Sequence, residues 1–254
     1  MKKLYTREDM EKIFIELGIT KGMTVCLQVN PDYVSNVIGG MQTIIEAMMH
    51  LLTKKGCLIV PSFCEDSLDP SCVKENSYEN WGIIRQEMIG YKANLSDCDA
   101  FATQFLRNID VQRSKHPISS LAYWGTYRSA VLDCTQDFPL SFENQCAPLS
   151  KEKARNVLIG YEQGESVLLP AIAKEIKQGT IIVRRAKIRR VKTSIFKVFL
   201  DLNLTSEDKE ICLEECHEKS YKWEDCNIYN LWVHNNFVKM DAMDSNVSVL
   251  SLSK

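Results

Sequence analysis

The chain has 254 residues, a formal net charge of -2, and 45% hydrophobic and 25% charged residues, a balance typical of a globular protein with a full core. This charge excludes the positive potential by which general nucleic-acid binders and anionic-membrane binders attract their partners. There is no run of roughly 18 apolar residues, so we expect no membrane span, and no apolar stretch follows Lys2 and Lys3, so we expect no signal peptide. The ten cysteines are scattered along the chain, which favours reduced thiols and a cytoplasmic protein.

The first sixty residues alternate between helix and strand patterns. Thr6, with Asp9 three positions later, is typical of a helix cap, and an apolar stripe with helical spacing follows. A buried strand, a helix and a second short strand are then predicted in "KGMTVCLQV", "MQTIIEAMMHLL" and "KKGCLIVPSF". Helices that alternate with apolar strands predict an α/β fold, with a mixed, largely parallel central sheet flanked by helices.

The remaining elements continue this pattern to the end of the chain. Helices are predicted in "YENWGIIRQEM", "DAFATQFLRNI" and "EDKEICLEECHEKSYKWEDC", and strands in "SSLAYWG", "RNVLIGY" and "NVSVLSLSK". The run "RRAKIRRVK", residues 184–192, has six basic residues in nine and predicts an exposed hairpin strand whose charges prevent aggregation. Because no repeat or linker divides the chain, we expect one α/β domain over residues 1–254.

Three acidic residues, Glu65, Asp66 and Asp69, lie on one polar loop just beyond the second strand. Ligands of open α/β sheets bind beyond the carboxyl ends of the strands, so the three carboxylates predict a binding site for a cationic substrate. The alternative is an ordinary turn, because Asp, Ser and Pro are common turn residues.

Arg113, Ser114 and His116 form a compact polar cluster at the start of "RSKHPISSLAYWG". Histidine is the usual general base near neutral pH, and of the four histidines only His116 lies in such a cluster. Arg113 and Ser114 would suit a phosphate or a carbonyl oxygen. The alternative is that these side chains hold their own loop together.

Cys212, Cys216, His217 and Cys226 are the residues most like a metal-binding group. Cys212 and Cys216 are spaced to share one face of a helix, but the spacing of the group is not that of a standard structural zinc site. We therefore expect buried cysteines and no metal.

Eight segments between about Leu17 and Glu175, taken in order, resemble the aminoglycoside 3-N-acetyltransferase family. They are "LGITKGMTVCLQV", "GGMQTIIEAM", "KKGCLIVPSF", "EDSLDPS", "NWGIIRQEM", "RSKHPISSLAYWG", "DFPLSFENQCAPL" and "NVLIGY". The resemblance implies an antibiotic N-acetyltransferase-like fold with a cleft for acetyl-CoA, and it implies that Arg113, Ser114 and His116 line or support the cofactor side. After about residue 200 the resemblance fades, and the chain is shortened and diverged there.

The chain departs from the family pattern where the cofactor and the base are expected. The family's usual His-Ser-Ser after the first strand is replaced by Gln28, Val29 and Asn30, which the resemblance still implies approach the cofactor. The position of the family's presumed general base is Pro170, which has no ionisable group. Glu162 and Glu165 lie within one loop of it and, together with His116, are the candidate catalytic residues.

Further departures from the family pattern separate two hypotheses about function. Asp99 replaces a family glycine, Thr103 a glutamate, and "NQCAP" the family's GxxSP. The first hypothesis is acyl transfer from acetyl-CoA or another acyl-CoA to an amine, with a different acceptor or weak activity. The second is a non-catalytic family member that binds CoA or a protein partner through the inherited cleft. The sequence does not indicate the oligomeric state.

Overall fold

The computed structural model describes residues 4–126, 154–161, 163–167, 169–218, 238–239 and 246–251. Its helices are α1 (Arg7–Glu16), α2 (Gly40–Leu52), α3 (Trp81–Glu87), α4 (Ala100–Leu106), α5 (Leu169–Ile176) and α6 (Ser206–Glu218). Its strands are β1 (Thr24–Val29), β2 (Cys57–Pro61), β3 (Gln112–Arg113), β4 (Leu121–Gly125), β5 (Arg155–Ile159), β6 (Thr180–Arg189), β7 (Ser194–Asn203), β8 (Val238–Lys239) and β9 (Asn246–Ser251).

One sheet contains all of these strands except β6 and β7, in the order β3-β4-β2-β1-β5-β9-β8. Its central strands β2, β1 and β5 are parallel, and the outer pairings are antiparallel. The parallel pair β1 and β2 is connected through α2, as parallel neighbours require. The predicted mixed α/β sheet flanked by helices is confirmed, and its parallel part lies at the centre.

Alternation along β1 divides the core into two layers. Val25, Leu27 and Val29 pack in the layer that contains the buried residues of α1, α2 and α4, whereas Cys26 packs in the layer that contains those of α5 and α6. All four side chains are buried. A sheet covered by helices on both faces needs apolar residues pointing both ways, which explains the almost continuous apolar run of β1.

The predicted cap of α1 is confirmed. The Thr6 amide donates to Asp9 Oδ2 at 2.9 Å, and the Asp9 amide donates to Thr6 Oγ1 at 3.2 Å. This reciprocal pair satisfies amide groups that have no partner within the helix and fixes its first residue.

β6 and β7 form a separate antiparallel hairpin, as the basic run predicted. The prediction that this run is exposed is wrong for Ala186, Lys187 and Ile188, which are all buried. Lys187 Nζ donates to the carbonyl oxygens of Arg85 at 2.8 Å and Met88 at 2.7 Å, at the carboxyl end of α3. A cation suits this position because the last carbonyls of a helix have no partner within it. The sequence pattern showed the charges but not the helix end that one of them caps.

The later predicted elements are confirmed as far as the structure describes them. α6 ends at Glu218, residues 219–226 of the predicted helix lie outside the described part of the chain, and the last strand is β9. Within the described residues, no helix is both long and apolar enough to cross a membrane. A single domain over residues 1–254 remains a prediction.

Candidate functional site

A cavity of about 240 Å³ opens beyond the carboxyl ends of the parallel strands β1, β2 and β5, and we call it the strand-end cavity. One side is apolar and the other is polar. The apolar residues are Leu27, Val29, Val60, Pro61, Phe63, Phe101 and Val167, and the polar residues are Gln28, Asp99, Tyr161 and Glu165. In open α/β sheets this is the end of the strands at which ligands bind.

Gln28 ties β1 to the chain that follows β5. Its amide nitrogen donates to the Glu165 carbonyl oxygen at 3.0 Å, and its amide oxygen accepts from Asn156 Nδ2 at 2.8 Å and from the Val167 amide at 3.0 Å. Asn156 is fully buried and also donates to Ser166 Oγ at 2.8 Å. The side chain at position 28 therefore fixes one wall of the strand-end cavity.

The other two residues that replace the family's His-Ser-Ser lie at the same end of β1. Val29 is buried at 3% exposure and contributes to the apolar side of the cavity. Asn30 Nδ2 donates to the Gly160 carbonyl oxygen at 3.3 Å, and Asn30 Oδ1 accepts from the Asp32 amide at 3.1 Å. Asn30 thus joins the loop after β1 to the loop after β5, and the three residues shape the cavity together.

The polar side of the strand-end cavity is acidic. Asp99 is accessible in the cavity, and its Oδ1 accepts from the Ala102 amide at 2.8 Å, which caps α4. Partial burial raises the pKa of Asp99 above its usual value. Burial, and then the nearby carboxylates of Asp99, Glu165 and Asp32, raise the pKa of Tyr161. Such a wall favours a cation or a neutral donor over an anion.

A second cavity of about 410 Å³, the hairpin cavity, lies between the loop after β2, the chain after α3 and the end of β6. Its lining includes the carboxylates Asp66, Glu87 and Asp97 and the cations Lys92 and Arg189. Segments 61–67 and 95–101 contribute residues to both cavities, so the two are neighbours along one groove.

Arg113 holds the two walls of this groove together. Its guanidinium donates to the carbonyl oxygens of Ser62 on one wall and of Ser96 and Asp97 on the other, and it also donates to Ser120 Oγ at 3.0 Å. These bonds occupy the donors that a direct contact with a cofactor phosphate would need. They are what a residue that supports the site requires.

Ser114 and His116 are more deeply buried than the sequence indicated. Ser114 Oγ accepts from the Leu121 amide at 2.9 Å, and the Tyr91 hydroxyl donates to the Ser114 carbonyl oxygen at 2.6 Å. His116 is fully buried, its Nδ1 accepts from the Ser119 amide at 2.9 Å, and burial lowers its pKa to about 4. Neither side chain lines the two cavities in the described part of the chain. The contacts of this cluster hold its own loop together.

The three acids of the loop after β2 are not brought together. Asp66 is exposed and lines the hairpin cavity, and Glu65 is exposed and lies 3.4 Å from Arg184 Nη1. Asp69 is fully buried and binds Arg85 through two hydrogen bonds of 2.9 and 2.8 Å. Of the three, Asp66 is the one placed to meet a ligand in a cavity.

The candidate residues after β5 are only partly described. Glu165 is exposed in the strand-end cavity, and Glu162 lies outside the described residues. Pro170 lies in the first turn of α5, where a missing amide hydrogen does no harm, and it is half-buried.

The cysteine group is described only in part. Cys212 is fully buried in α6, and burial raises its pKa to about 11. The side chains of Cys216 and His217, and all of Cys226, lie outside the described part of the structure. No cluster of three or more metal-binding side chains is found among the described residues.

Comparison with known proteins identifies the family. The family model described as aminoglycoside 3-N-acetyltransferase matches residues 30–191, which span the groove and both of its walls. The chain belongs to this family. The aminoglycoside N(3')-acetyltransferase-like protein YokD, derived from the SPbeta prophage of Bacillus subtilis strain 168, is 27% identical over 215 residues, covering 80% of this chain and 77% of YokD.

Solved structures agree on the fold of this family member. The crystal structure of YokD from Bacillus subtilis matches with a TM-score of 0.76 and 22% identity, over 97% of this chain and 93% of YokD. AAC-IIIb in a binary complex with CoASH matches with a TM-score of 0.74 and 13% identity, over 97% and 92%. A mutant of AAC(3)-IVa in complex with a gentamicin matches with a TM-score of 0.70 and 15% identity, over 99% and 85%.

Sequence reasoning did not identify Tyr161 or the hairpin cavity, and it noted Asp99 only as a departure from the family. Tyr161 follows β5 by two residues, so its position at a strand end was a signal that could have found it. The hairpin cavity depends on how β6 packs against the chain after α3, which the pattern of β6 alone does not contain.

Proposed function

We propose that this protein moves an acetyl group from acetyl-CoA to an amine, with the reacting atoms in the strand-end cavity. The observation that carries the proposal is the position of this cavity beyond the carboxyl ends of β1, β2 and β5, in a member of an acetyltransferase family. The apolar side would exclude water from the thioester, and the acidic side would attract the amine.

The lining of the groove fits the two halves of acetyl-CoA unequally. Val29, Phe63 and Phe101 suit the apolar thioester end, but the described residues of the strand-end cavity include no lysine or arginine. Phosphates need cations, and Lys92 and Arg189 of the neighbouring hairpin cavity would supply them. The complex of AAC-IIIb with CoASH supports CoA as the ligand in this fold.

The acceptor that fits the acidic wall is a cationic amine. Asp99 and Glu165 would attract a protonated amine, and Asp66 would attract a second positive group in the hairpin cavity. Glu65 and Asp69 are not part of this proposal because each is close to an arginine. The gentamicin complex of AAC(3)-IVa supports an acceptor of this class.

The expected activity is weak relative to an efficient enzyme. A positioned general base contributes about a hundred- to ten-thousand-fold in rate, or roughly 3–5 kcal/mol. Pro170 provides no base, and His116 lines neither cavity in the described residues, so we do not assign it that role.

The second candidate function is a non-catalytic protein that binds CoA or a partner through the same groove. The observation that favours it is the use of Gln28 as a structural bridge at the position where the family carries a residue of its His-Ser-Ser. A side chain with three hydrogen bonds inside the protein has little left to offer a ligand.

Calorimetric titration with acetyl-CoA and, separately, with CoA tests the proposal. Arg189→Glu removes a cation from the hairpin cavity, and we expect it to weaken acetyl-CoA binding about tenfold, the effect of losing one charged hydrogen bond. Lys21→Glu is the matched control, because Lys21 is exposed and precedes the opposite end of β1. Absence of saturable binding by the unmodified protein would overturn the proposal.

A further inference from the structure

We infer that Asp99 accepts the proton of the acceptor amine in the strand-end cavity, and that Glu165 binds the same amine before it reacts. This inference rests on the proposed function and deepens it by assigning the base. It places the base on the segment before α4 rather than on the chain after β5.

The position of Asp99 is fixed by the fold. Its Oδ1 accepts from the Ala102 amide at 2.8 Å, so the carboxyl group is held at the start of α4 while it remains accessible in the cavity. A catalytic carboxylate has to be held in this way, because its proton transfer depends on distance and direction.

The charges around Asp99 favour a bound ammonium group. Tyr161 and Glu165 line the same cavity, and Arg113 lies behind the wall, where its guanidinium is held by backbone carbonyls and Ser120 Oγ. The Arg113 charge acts to lower the pKa of Asp99, but partial burial outweighs it and raises that pKa. A carboxylate with a raised pKa is a stronger base than an exposed one.

The transfer step is balanced by the two substrates alone. The acceptor ammonium gives one proton to the Asp99 carboxylate, and the neutral amine nitrogen attacks the carbonyl carbon of the acetyl thioester. The new C–N bond forms as the C–S bond breaks, and the CoA thiolate leaves with the electron pair of the C–S bond. The second proton of the attacking nitrogen goes to the thiolate or to solvent.

The other titratable candidates are less well placed. His116 is fully buried and lines neither cavity in the described residues, and Glu165 is exposed to solvent, which keeps a carboxylate weakly basic. Burial and nearby carboxylates raise the pKa of Tyr161, so its hydroxyl group keeps its proton at neutral pH.

The experiment measures thiol release from acetyl-CoA, with gentamicin as the amine, for Asp99→Asn, Glu165→Gln and the unmodified protein across a pH series. Asparagine is also a good helix cap, so Asp99→Asn keeps the bond to the Ala102 amide but cannot accept the proton. Asp9→Asn is the matched control, an Asp-to-Asn change in the first turn of the remote helix α1.

We expect Asp99→Asn to lower kcat about a hundredfold or more and to remove the rise of kcat with pH. We expect Glu165→Gln to raise the KM for gentamicin about tenfold, with a smaller effect on kcat, and Asp9→Asn to change neither. Asp99→Glu, which keeps the carboxylate, should recover part of the lost rate.

Two contrary outcomes are distinguishable. If the unmodified protein releases thiol and Asp99→Asn does so at an unchanged rate, the assignment of Asp99 is wrong and the proposed function stands. If the unmodified protein shows no amine-dependent release at any pH, the proposed function and the role of Asp99 are overturned together.

Discussion

Arg85 binds the carboxylate of Asp69 through two parallel hydrogen bonds, from Nε to Oδ2 at 2.9 Å and from Nη2 to Oδ1 at 2.8 Å. The carboxylate is fully buried and also accepts from the Ser71 hydroxyl at 2.7 Å. The pair joins the loop after β2 to α3, two of the elements that form the hairpin cavity. A buried ion pair of this kind is costly to break from one side.

Asp69→Asn should destabilise the protein by about 3–5 kcal/mol at neutral pH, because Arg85 loses its buried partner. Burial alone would raise the pKa of Asp69, but the hydrogen bonds from Arg85 and Ser71 outweigh it and hold the pKa well below its usual value. The stabilisation is therefore present above the unfolded pKa near 4 and is lost as the pH falls towards the lower folded pKa. Chemical denaturation at pH 7 and at pH 3 measures both effects.

The control for this prediction is Glu65→Gln, which neutralises an exposed carboxylate on the same loop. We expect its free energy of unfolding to stay within about 0.5 kcal/mol of the unmodified protein. Equal losses for the two variants would show that the Asp69 pair contributes nothing special.

His116 should make the protein less stable in mildly acidic solution. Burial lowers its pKa to about 4, whereas an unfolded histidine titrates near 6.5, so the unfolded state binds more protons between these values. Its stabilising contribution is complete above pH 6.5 and is lost as the pH falls to about 4. The loss is on the order of 3 kcal/mol.

His116→Asn tests this expectation, because the asparagine side-chain oxygen can accept from the Ser119 amide in place of Nδ1. The free energy of unfolding of the variant should vary less between pH 6.5 and 4 than that of the unmodified protein. An unchanged pH dependence would contradict the assignment, and the histidine NMR titration of the folded protein would give its pKa directly.

Arg113→Met should weaken ligand binding more than a surface substitution of similar size. It leaves the carbonyl oxygens of Ser62, Ser96 and Asp97 without their shared donor, so the two walls of the groove are no longer tied together. We expect a loss of about 2–3 kcal/mol in unfolding free energy and at least a tenfold weaker binding of acetyl-CoA. Arg107→Met, on the outer end of α4, is the control for removing an arginine.

Gln28→Leu should loosen the chain after β5. The Val167 amide loses its acceptor, and Asn156 loses one of its two described partners. Hydrogen exchange followed by mass spectrometry should show faster exchange over residues 163–167 and little change in α2, which packs in the other layer of the core. Unchanged exchange over residues 163–167 would mean that other contacts hold this segment.

The order of helices and strands was predictable because each central strand is a short apolar run with a clear end. The run from Val25 to Val29, for example, is buried on both faces and can only be a covered strand. The family resemblance then predicted the fold from motifs whose order and spacing are set by that framework.

The candidate site was less predictable because its contacts join residues far apart in the chain. The partners of Gln28 lie 128 and 139 residues further on, and nothing local in the sequence points to them. Asp69 reads as one of three loop acids until its pairing with Arg85 is seen. Lys187 likewise reads as an exposed charge until the end of α3 is placed beside it.

The measurement that tests the central proposal most directly is mass spectrometry of the amine after incubation with the unmodified protein and acetyl-CoA, with thiol release followed in parallel. We predict slow, saturable formation of an N-acetylated amine that matches the released thiol one to one. Saturable binding of acetyl-CoA with no acetylated amine and no amine-dependent thiol release would contradict the proposal and favour a non-catalytic protein.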